Sequence, residues 1–348
     1  MKNWKMLLSL LVAYSVVVLG CVVPGVAWGC AALITTEADV QVNRESAVIV
    51  WDEQHHIEHF IRQADFSTTA GDMGFLVPTP SLPTLANADS GVFSLLEKVA
   101  NPPTQDNDEV DTSAARSASA SGGVEVLNTQ RVGDYDAAVL QADDAHALNQ
   151  WLAQHHYVVR PQFTSWLAPY IARHWKITAF KIAKALPQGT SISLSPVRMS
   201  FATDHPFYPY REPAYARSMP NPAPRSLRVY MLSQQSMDGT LGYASHRSWP
   251  GRVTATNIPT DSLRGELAHY LSLEPNQLPA NMQLTAFQDD SSPRPGFDDV
   301  YFWPASRRNL HLMQLLAALF IGCGGLWLLD QKKRQRVSFA RQRAVLDR

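Results

Sequence analysis

The sequence predicts an α+β domain of mostly antiparallel sheet with a few short helices, followed by one C-terminal transmembrane helix. Three observations lead to this expectation. Most patterned segments alternate apolar and polar residues with the period of a strand, whereas helical spacing is confined to short stretches. The two kinds of segment are mixed along the chain, without an internal repeat. One apolar run near the C-terminus has the length of a bilayer-spanning helix.

The N-terminus has the layout of a secretory signal peptide, which we predict over residues 1–29. Lys2 and Lys5 precede an uninterrupted apolar run from residue 6 to residue 19, and small residues follow it. Cleavage after Gly29 would make Cys30 the mature N-terminus. Alternatively, the segment that ends at Cys21 resembles a lipobox, which would make Cys21 a lipidated first residue. We favour cleavage after Gly29, because a lipid would duplicate the anchor predicted at the C-terminus.

The first elements of the body are strands. β-Branched residues predict strands over residues 47–51 and 57–61, joined by a turn at residues 52–54. A short buried strand ended by proline is predicted over residues 74–78. Residues 101–123 combine prolines, acidic residues and an Ala/Ser run, which cannot bury enough apolar surface to offset their ordering entropy. We therefore predict a flexible loop there.

The middle of the chain alternates strands and short helices. Strands are predicted over residues 124–127 and 135–141. Asp143 and Asp144 are natural N-caps for a helix whose apolar residues include Trp151. Pro169 suits the first turn of the next helix.

The rest of the body contains long alternating segments. Strands are predicted over residues 175–183, 192–202 and 226–232, with a final strand over residues 282–287 after a helix at 263–273. Residues 205–224 are rich in proline and aromatic residues and predict an extended loop. This loop could be a binding surface for a sugar or a partner, or it could pack along its own sheet.

The C-terminal apolar run, residues 310–329, predicts the transmembrane helix and therefore contact with the lipid bilayer. Trp303 precedes it, where interfacial aromatic residues are often found. The tail at residues 330–348 is basic, and positive charge marks the cytoplasmic side. We therefore expect a single-pass protein of a bacterial cell membrane. Its domain at residues 30–306 lies outside the cytoplasm, and its C-terminus lies inside.

Charge and cysteine content limit the possible partners and the architecture. Between residues 30 and 306 there are 29 acidic and 19 basic residues, a net charge of −10. An acidic body argues against nucleic acid as a partner, because phosphate binding requires a basic surface. Cys30 is the only cysteine of that segment, so no disulfide framework supports it.

One local motif suggests metal chemistry. His55, Glu58 and His59 fit the H-x-x-E-H pattern, in which two histidines bind zinc and the glutamate is the catalytic base. That chemistry requires a helix, which brings His55 and His59 to one face. The flanking residues predict a strand, on which Glu58 points away from both histidines. The competing interpretation is therefore a polar strand of a hairpin. The acidic pairs at residues 289–290 and 298–299 are predicted to lie in solvated loops. The sequence contains no cofactor motif.

Several segments resemble those of a known bacterial family. Residues 74–80 (GFLVPTP) look like its proline-ended strand, residues 132–136 (VGDYD) like its central motif and residues 195–201 (SPVRMSF) like its last signature. Together with the order of the other elements, they make the chain similar to the domain of unknown function 2330 family over about residues 30–290. The resemblance implies an exported bacterial protein and brings no established activity.

These features predict a membrane-anchored, extracytoplasmic binding or accessory module of the bacterial envelope, with an envelope protein as a possible partner. The alternative is a metal-dependent hydrolase centred on His55, Glu58 and His59. The backbone conformation discriminates between the two hypotheses. A helix through residues 55–59 favours the hydrolase and a strand favours the binding module.

Overall fold

A computed structural model describes residues 33–34, 40–68, 74–101, 124–157, 161–183, 191–217 and 224–305. The predicted signal peptide, most of the predicted flexible loop at 101–123, the predicted membrane segment at 310–329 and the basic tail lie outside these residues. Within the described ranges, no helix is both long and apolar enough to cross a membrane.

The described chain contains strands and short helices in mixed order. The strands are β1 (Leu33–Ile34), β2 (Val40–Asp52), β3 (Ile57–Thr68), β4 (Gly74–Thr79), β5 (Thr84–Asn87), β6 (Val124–Val132), β7 (Tyr135–Ala142), β8 (Lys176–Ile182), β9 (Ser191–Ser193), β10 (Val197–Ala202), β11 (Phe207–Tyr208), β12 (Ser226–Ser233), β13 (Met237–Leu241), β14 (Arg247–Ser248), β15 (Arg252–Pro259), β16 (Gln283–Asp289) and β17 (Val300–Pro304). The α-helices are α1 (Gly91–Ala100), α2 (Ala145–Gln154), α3 (Pro161–Ile171), α4 (Ala214–Arg217) and α5 (Arg264–Tyr270). Short 3₁₀ turns lie at Asp261–Leu263 and Pro275–Gln277.

The strands form three sheets. Sheet I has the order β1-β4-β8-β7-β6, and sheet II has the order β15-β16-β12-β2-β3-β10-β5, with β9 also paired to β3. Sheet III has the order β11-β17-β13-β14. Among the described strands, β12 and β2 pair in parallel and the other neighbours pair antiparallel. The predicted α+β class with mostly antiparallel sheet is confirmed.

Sheet II is buried on both faces, as the side chains of β2 illustrate. Ala47, Ile49 and Trp51 lie in a central core that sheets I and III share. Val48 and Val50 lie on the opposite face and pack with residues of α1 and α5. A strand covered on both faces has little room for polar residues, which explains why residues 47–51 are continuously apolar.

Sheet I packs one face on the central core and the other face on α2 and α3. Phe75 and Phe180 stack in the central core with ring centroids 4.7 Å apart. Leu140 of β7 lies on the opposite face with Leu148 of α2 and Leu167 of α3. The layers are therefore α2 and α3, sheet I, sheet II, and then α1 and α5, with sheet III contributing to the central core.

Several predicted elements are confirmed. The predicted hairpin is the antiparallel pair of β2 and β3, with Trp51 opposite Glu58 and a turn at residues 53–56. The strands predicted at 124–127 and 135–141 form the β6–β7 pair. The helix predicted after Asp143 and Asp144 is α2, and Asp144 is its N-cap.

The predictions for two prolines are wrong. Pro169 lies in the last turn of α3, and Pro161 is the proline that begins this helix. A proline suits a first turn because its missing N–H has no helical partner there, and Pro161 already occupies that position. Pro78 lies inside β4, opposite Ile177, and does not end the strand.

The sequence patterns missed α1 and β17. α1 buries Val92, Phe93 and Leu96 on one face, but it is only 10 residues long and borders the predicted loop. β17 is the last described strand, beyond the strand predicted as final. Its Trp303 donates to Thr240 Oγ1 at 3.0 Å, so this ring belongs to the folded domain.

Candidate functional site

The central core contains a buried charged triad. Arg62 Nε donates to Glu45 Oε1 at 2.6 Å, and Arg294 Nη1 donates to Glu45 Oε2 at 3.1 Å. The side chains of Glu45 and Arg294 are both 0% exposed. Burial by itself would raise the pKa of Glu45, but the two guanidiniums prevail and lower it to about 2. The carboxylate is therefore charged and compensated within the core.

Further buried polar groups lie close to this triad. Arg225 Nη1 lies 2.8 Å from Glu212 Oε1 in a second buried ion pair. Asp289 Oδ2 accepts hydrogen bonds from Tyr210 Oη at 2.6 Å and from Trp249 Nε1 at 3.2 Å. Asp289 is 1% exposed, so the prediction of a solvated loop there is wrong. These ion pairs and hydrogen bonds connect segments that are distant in sequence. Because their side chains are buried, a ligand cannot reach them, and we assign them a role in stability rather than in binding.

The structure does not bring the side chains of His55, Glu58 and His59 together. His55 lies in the turn between β2 and β3, where its Nδ1 lies 2.5 Å from Asp52 Oδ2 and its side chain is 60% exposed. Glu58 and His59 are successive residues of β3, so their side chains point to opposite faces of sheet II.

Glu58 and His59 are each buried in a different environment. Glu58 Oε2 accepts from the backbone N–H of Phe207 at 2.9 Å, and Oε1 has no hydrogen-bond partner in the described part of the chain. Burial raises the pKa of Glu58 well above its ordinary value. His59 Nδ1 lies 2.8 Å from Ser200 Oγ, and burial, together with Arg198, lowers the pKa of His59 to about 4. Among the described residues, no group of three or more His, Cys, Asp or Glu side chains is arranged to hold a metal ion.

A surface cleft of about 680 Å³ lies among the described residues. It lies where six parts of the chain meet: the β2–β3 turn, the residue after β4, the connection between α3 and β8, the end of β10 with the loop after it, the β13–β14 turn, and the start of β17 with the loop before it. Its lining residues are His56, Pro80, Arg173, Trp175, Ala202, Thr203, Asp204, His205, Tyr243, Ala244, Ser245, Asp298 and Tyr301. The volume falls within the range of roughly 300–1,000 Å³ that is usual for small-molecule sites.

The cleft has aromatic walls that buried neighbours hold in place. The ring centroids of Trp175 and Phe207 lie 5.1 Å apart, and those of Tyr301 and Phe207 lie 5.8 Å apart. Tyr243 packs edge-on against Tyr301 at 5.5 Å while 51% of its surface stays exposed. Phe207 is fully buried. Because the core fixes these rings, the apolar surface of the cleft is preorganised for a ligand.

The charged groups of the cleft are nearly balanced. Arg173 lies over the Trp175 ring, with its guanidinium carbon 5.8 Å from the ring centroid. Asp298 Oδ1 accepts from Arg211 Nη2 at 2.9 Å, and Asp204 is exposed at the rim. The lining therefore presents two carboxylates and one guanidinium, and a second guanidinium is bonded to one of those carboxylates.

A buried carboxyl group lies directly behind this charged wall. Asp299 Oδ1 accepts from Tyr170 Oη at 2.8 Å and from the backbone N–H of Arg211 at 3.1 Å. Burial raises the pKa of Asp299 to about 6, and the bonds from Tyr170 and Arg211 oppose that rise. Asp299 is 0% exposed, so the prediction of a solvated loop is wrong here as well.

A smaller pocket of about 100 Å³ continues the cleft. The two cavities share His56, Asp204 and His205, and the smaller one extends to Gln235 and Pro304. Pro304 is the last residue of β17, so the combined groove extends toward the end of the described chain.

Most of the loop proposed from sequence as a binding surface is core. Phe207, Tyr208 and Tyr210 are each 1% exposed or less, and Phe207 and Tyr208 form strand β11 of sheet III. For these rings the structure agrees with the second alternative, packing on the chain's own sheet, rather than with a binding surface. Among the described residues of that segment, His205 alone lines the cleft.

The sequence reasoning missed the other cleft residues. In the structure Tyr243 follows Gly242, whose φ of +78° marks a tight turn. An aromatic residue directly after a glycine in a turn is a local signal that could have indicated this site.

The comparison with protein families identifies the family of this chain. Residues 24–277 match a family described as an uncharacterised protein conserved in bacteria, DUF2330. The chain belongs to this family. The match includes cleft residues from His56 to Ser245, whereas Asp298 and Tyr301 lie beyond it.

Comparisons with characterised proteins add little. No curated protein matches the chain. Among solved structures, the crystal structure of baculovirus P35 is similar with a TM-score of 0.34 and 9% sequence identity, over 63% of this chain and 76% of that chain.

Proposed function

We propose that this member of the family is a membrane-anchored, extracytoplasmic binding module of the bacterial envelope, and that its ligand occupies the aromatic cleft. The observation that supports this proposal is the cleft itself. Six separate parts of the chain form it, Trp175 and Tyr301 pack on the buried Phe207, and Tyr243 is left more than half exposed. An exposed aromatic residue on a rigid concave surface is typical of a ligand-binding site.

The polar groups of the cleft favour binding over catalysis. Asp298 is bonded to Arg211, and Asp299 behind it is bonded to Tyr170. A nucleophile next to a base, the arrangement that covalent catalysis requires, is not observed among the cleft residues. The hydrolase hypothesis remains a prediction from the H-x-x-E-H motif, and the separation of Glu58 and His59 across β3 does not support it.

The sequence supports the anchoring part of the proposal. β17 ends at Pro304, and the predicted membrane segment begins at residue 310, five residues after Ala305. Five extended residues span at most about 18 Å. A helix over residues 310–329 would therefore hold the groove close to the outer surface of the membrane.

Site-specific photo-crosslinking tests the proposed site. A photoreactive phenylalanine analogue would replace Tyr243 in the full-length chain expressed in cells, and a matched variant would carry it at Val253. Val253 is 45% exposed on β15 and does not line the cleft. We expect a defined adduct from position 243 alone, and its loss when Asp204 is replaced by Asn in the same chain. Equal adducts at both positions, or none at position 243, would contradict the proposal.

A further inference from the structure

The chemistry of the cleft also indicates its ligand class. Resting on the proposed binding function, we propose that the cleft binds a saccharide ring, with the apolar face of the ring on Tyr243 and Trp175 and its hydroxyl groups on Asp204, Asp298 and Arg173. The argument uses the placement of the rings, the balance of charge and the number of hydroxyl partners.

The aromatic residues match the apolar face of a sugar. A pyranose presents several C–H groups on one face, and these carry a small positive charge that is attracted to the negative face of an aromatic ring. Tyr243 is 51% exposed and offers the larger ring surface, whereas Trp175 is half-buried and shares the cleft wall with the Arg173 guanidinium that lies over its ring. Their contacts with Tyr301 and Phe207 fix them before a ligand arrives.

The charges match a ligand without strong net charge. The two carboxylates of the lining, Asp204 and Asp298, are balanced by Arg173 and by Arg211, which bonds Asp298 at 2.9 Å. An anionic ligand would meet the carboxylates, and a cationic ligand would meet the guanidiniums. A neutral ligand is compatible with both, since hydroxyl groups can donate to carboxylates and accept from a guanidinium.

The remaining lining groups extend the hydrogen-bonding rim. Thr203 and Ser245 add hydroxyl groups, and His56 and His205 add imidazoles. Such mixed donors and acceptors around an aromatic floor suit the alternating apolar face and hydroxyl edge of a sugar better than they suit a purely aliphatic ligand.

The saccharide could belong to a soluble glycan or to a glycolipid at the membrane surface, and the test separates these sources. The full-length chain would be placed in phosphatidylcholine nanodiscs. One arm adds soluble cellotetraose, maltotetraose or chitotetraose. The other arm builds digalactosyl diacylglycerol into the nanodisc. Saturation-transfer NMR would record magnetisation passing from protein rings to sugar C–H protons, and titration of the signal would give a dissociation constant.

We expect transfer in at least one arm, and a dissociation constant at least about tenfold weaker in Tyr243→Ala, as for an aromatic residue central to an interface. Asp204→Asn, which keeps the shape of an exposed side chain, should weaken binding as well. Asp143→Asn is the matched control, because Asp143 is exposed and lies outside the cleft. Equal melting temperatures would show that the variants are folded.

The outcomes separate this inference from the proposed function. Transfer whose dissociation constant is weakened by Tyr243→Ala and by Asp204→Asn, but not by Asp143→Asn, supports the saccharide ligand, and the responding arm identifies its source. No transfer in either arm, or a dissociation constant that Tyr243→Ala or Asp204→Asn leaves unchanged, overturns the saccharide inference. If position 243 still gives its specific crosslink to a protein in that case, the binding function stands with a different ligand.

Discussion

At the scale of single residues, the central core contains buried charged side chains that form ion pairs with one another. Glu45 is the clearest case, because both of its carboxylate oxygens accept from a guanidinium, Arg62 on one side and Arg294 on the other. Arg294 is far from Glu45 in sequence, so this contact ties a late segment of the chain to sheet II. Removing one partner of such a buried ion pair strongly destabilises the fold, because the other charge is left uncompensated.

We therefore expect Glu45→Gln to be strongly destabilising. The substitution leaves Arg62 and Arg294 buried without their counter-charge, which costs on the order of 3–5 kcal/mol. Chemical denaturation of the full-length protein would measure the loss. The control is Asp136→Asn, which removes the partner of Arg131 from a pair in which the Asp136 side chain is 50% exposed. A surface pair contributes about 0–1 kcal/mol, so similar losses in the two variants would contradict the prediction.

The ion pairs of Glu45 also make the free energy of unfolding depend on pH. The pKa of Glu45 falls from 4.5 to about 2 on folding, so the folded state binds this proton more weakly than the unfolded chain does. The contribution of the pair is complete above pH 4.5 and is lost as the pH falls toward about 2. Glu45→Gln should therefore lie closer to the parent protein in stability at low pH than at neutral pH.

Glu58 is expected to show the opposite dependence. Burial raises its folded pKa well above 4.5, so above that pH the unfolded chain releases a proton that the folded state retains. Stability should decrease as the pH rises, by up to about 1.4 kcal/mol per pH unit from this one group. The amide that replaces the carboxyl group in Glu58→Gln does not titrate, so this variant lacks the pH dependence that Glu58 contributes. We expect its free energy of unfolding, relative to the parent, to increase as the pH rises above 4.5.

Denaturation curves at several pH values would measure this difference. A constant difference across the range would show that Glu58 titrates alike in the folded and unfolded states. His59→Gln is a useful comparison, because burial lowers the pKa of His59 from 6.5 to about 4. The neutral histidine contributes stability above pH 6.5 that is lost as the pH falls toward about 4, which is the opposite direction to Glu58.

At the scale of elements, α2 shows how one residue fixes a helix boundary. The sequence offers Asp143 and Asp144 as equivalent N-caps. In the structure Asp144 has extended backbone dihedrals, and its Oδ1 accepts from the N–H groups of His146 and Ala147, both at 2.7 Å. These bonds satisfy donors that have no partner within the helix.

Asp144→Ala is expected to cost about 0.5–2 kcal/mol, the usual range for the loss of an N-cap. The matched control is Asp143→Ala, since Asp143 is the adjacent exposed aspartate without that capping geometry. Thermal denaturation followed by circular dichroism would compare the two. Equal shifts in melting temperature would mean that the two aspartates share the capping role.

Short-range patterns predicted strands that are rich in apolar residues. The apolar runs of β2 and β7 are of this kind, because their sheets are covered on both faces. α1 and β17 were missed for different reasons. α1 is short and borders a polar segment, and the aromatic run of β17 adjoins a predicted membrane segment whose flank also favours aromatic residues.

At the scale of the whole molecule, the proposed anchor makes the orientation testable. A cysteine would be introduced at Val253 on β15, or at Ser338 in the predicted cytoplasmic tail. In spheroplasts, we expect a membrane-impermeant maleimide to label the first position directly and the second only after permeabilisation. The parent chain controls for its own cysteines. Labelling of position 338 in intact spheroplasts would contradict a cytoplasmic C-terminus.

The mass of the purified protein separates the two predicted forms of processing. Cleavage after Gly29 leaves an unmodified chain that begins at Cys30, whereas a lipidated Cys21 adds nine N-terminal residues and the mass of its acyl groups. A mass that retains residues 1–29 unmodified would contradict both.

The sequence by itself determined the family, the α+β class with mostly antiparallel sheet, and the strand through Glu58 and His59. Each depends on order or periodicity along the chain, which a linear sequence contains. The cleft, by contrast, is formed only by the tertiary structure. His56, Arg173, Asp204, Tyr243 and Tyr301 are distant in sequence and meet because three sheets pack on one core.

Burial had to be read from the structure for the same reason. Phe207 and Tyr210 are aromatic residues beside prolines in a segment without periodicity, and Asp289 and Asp299 are acidic residues near turns. Local patterns predicted solvated loops for the two aspartates and left open whether the segment with the two rings is exposed or packs on its own sheet. Their partners, among them Glu58, Trp249 and Tyr170, come from other segments of the chain. Long-range packing provides hydrogen-bond partners for the two aspartates and buries the two aromatic rings. No local pattern in the sequence specifies these long-range contacts.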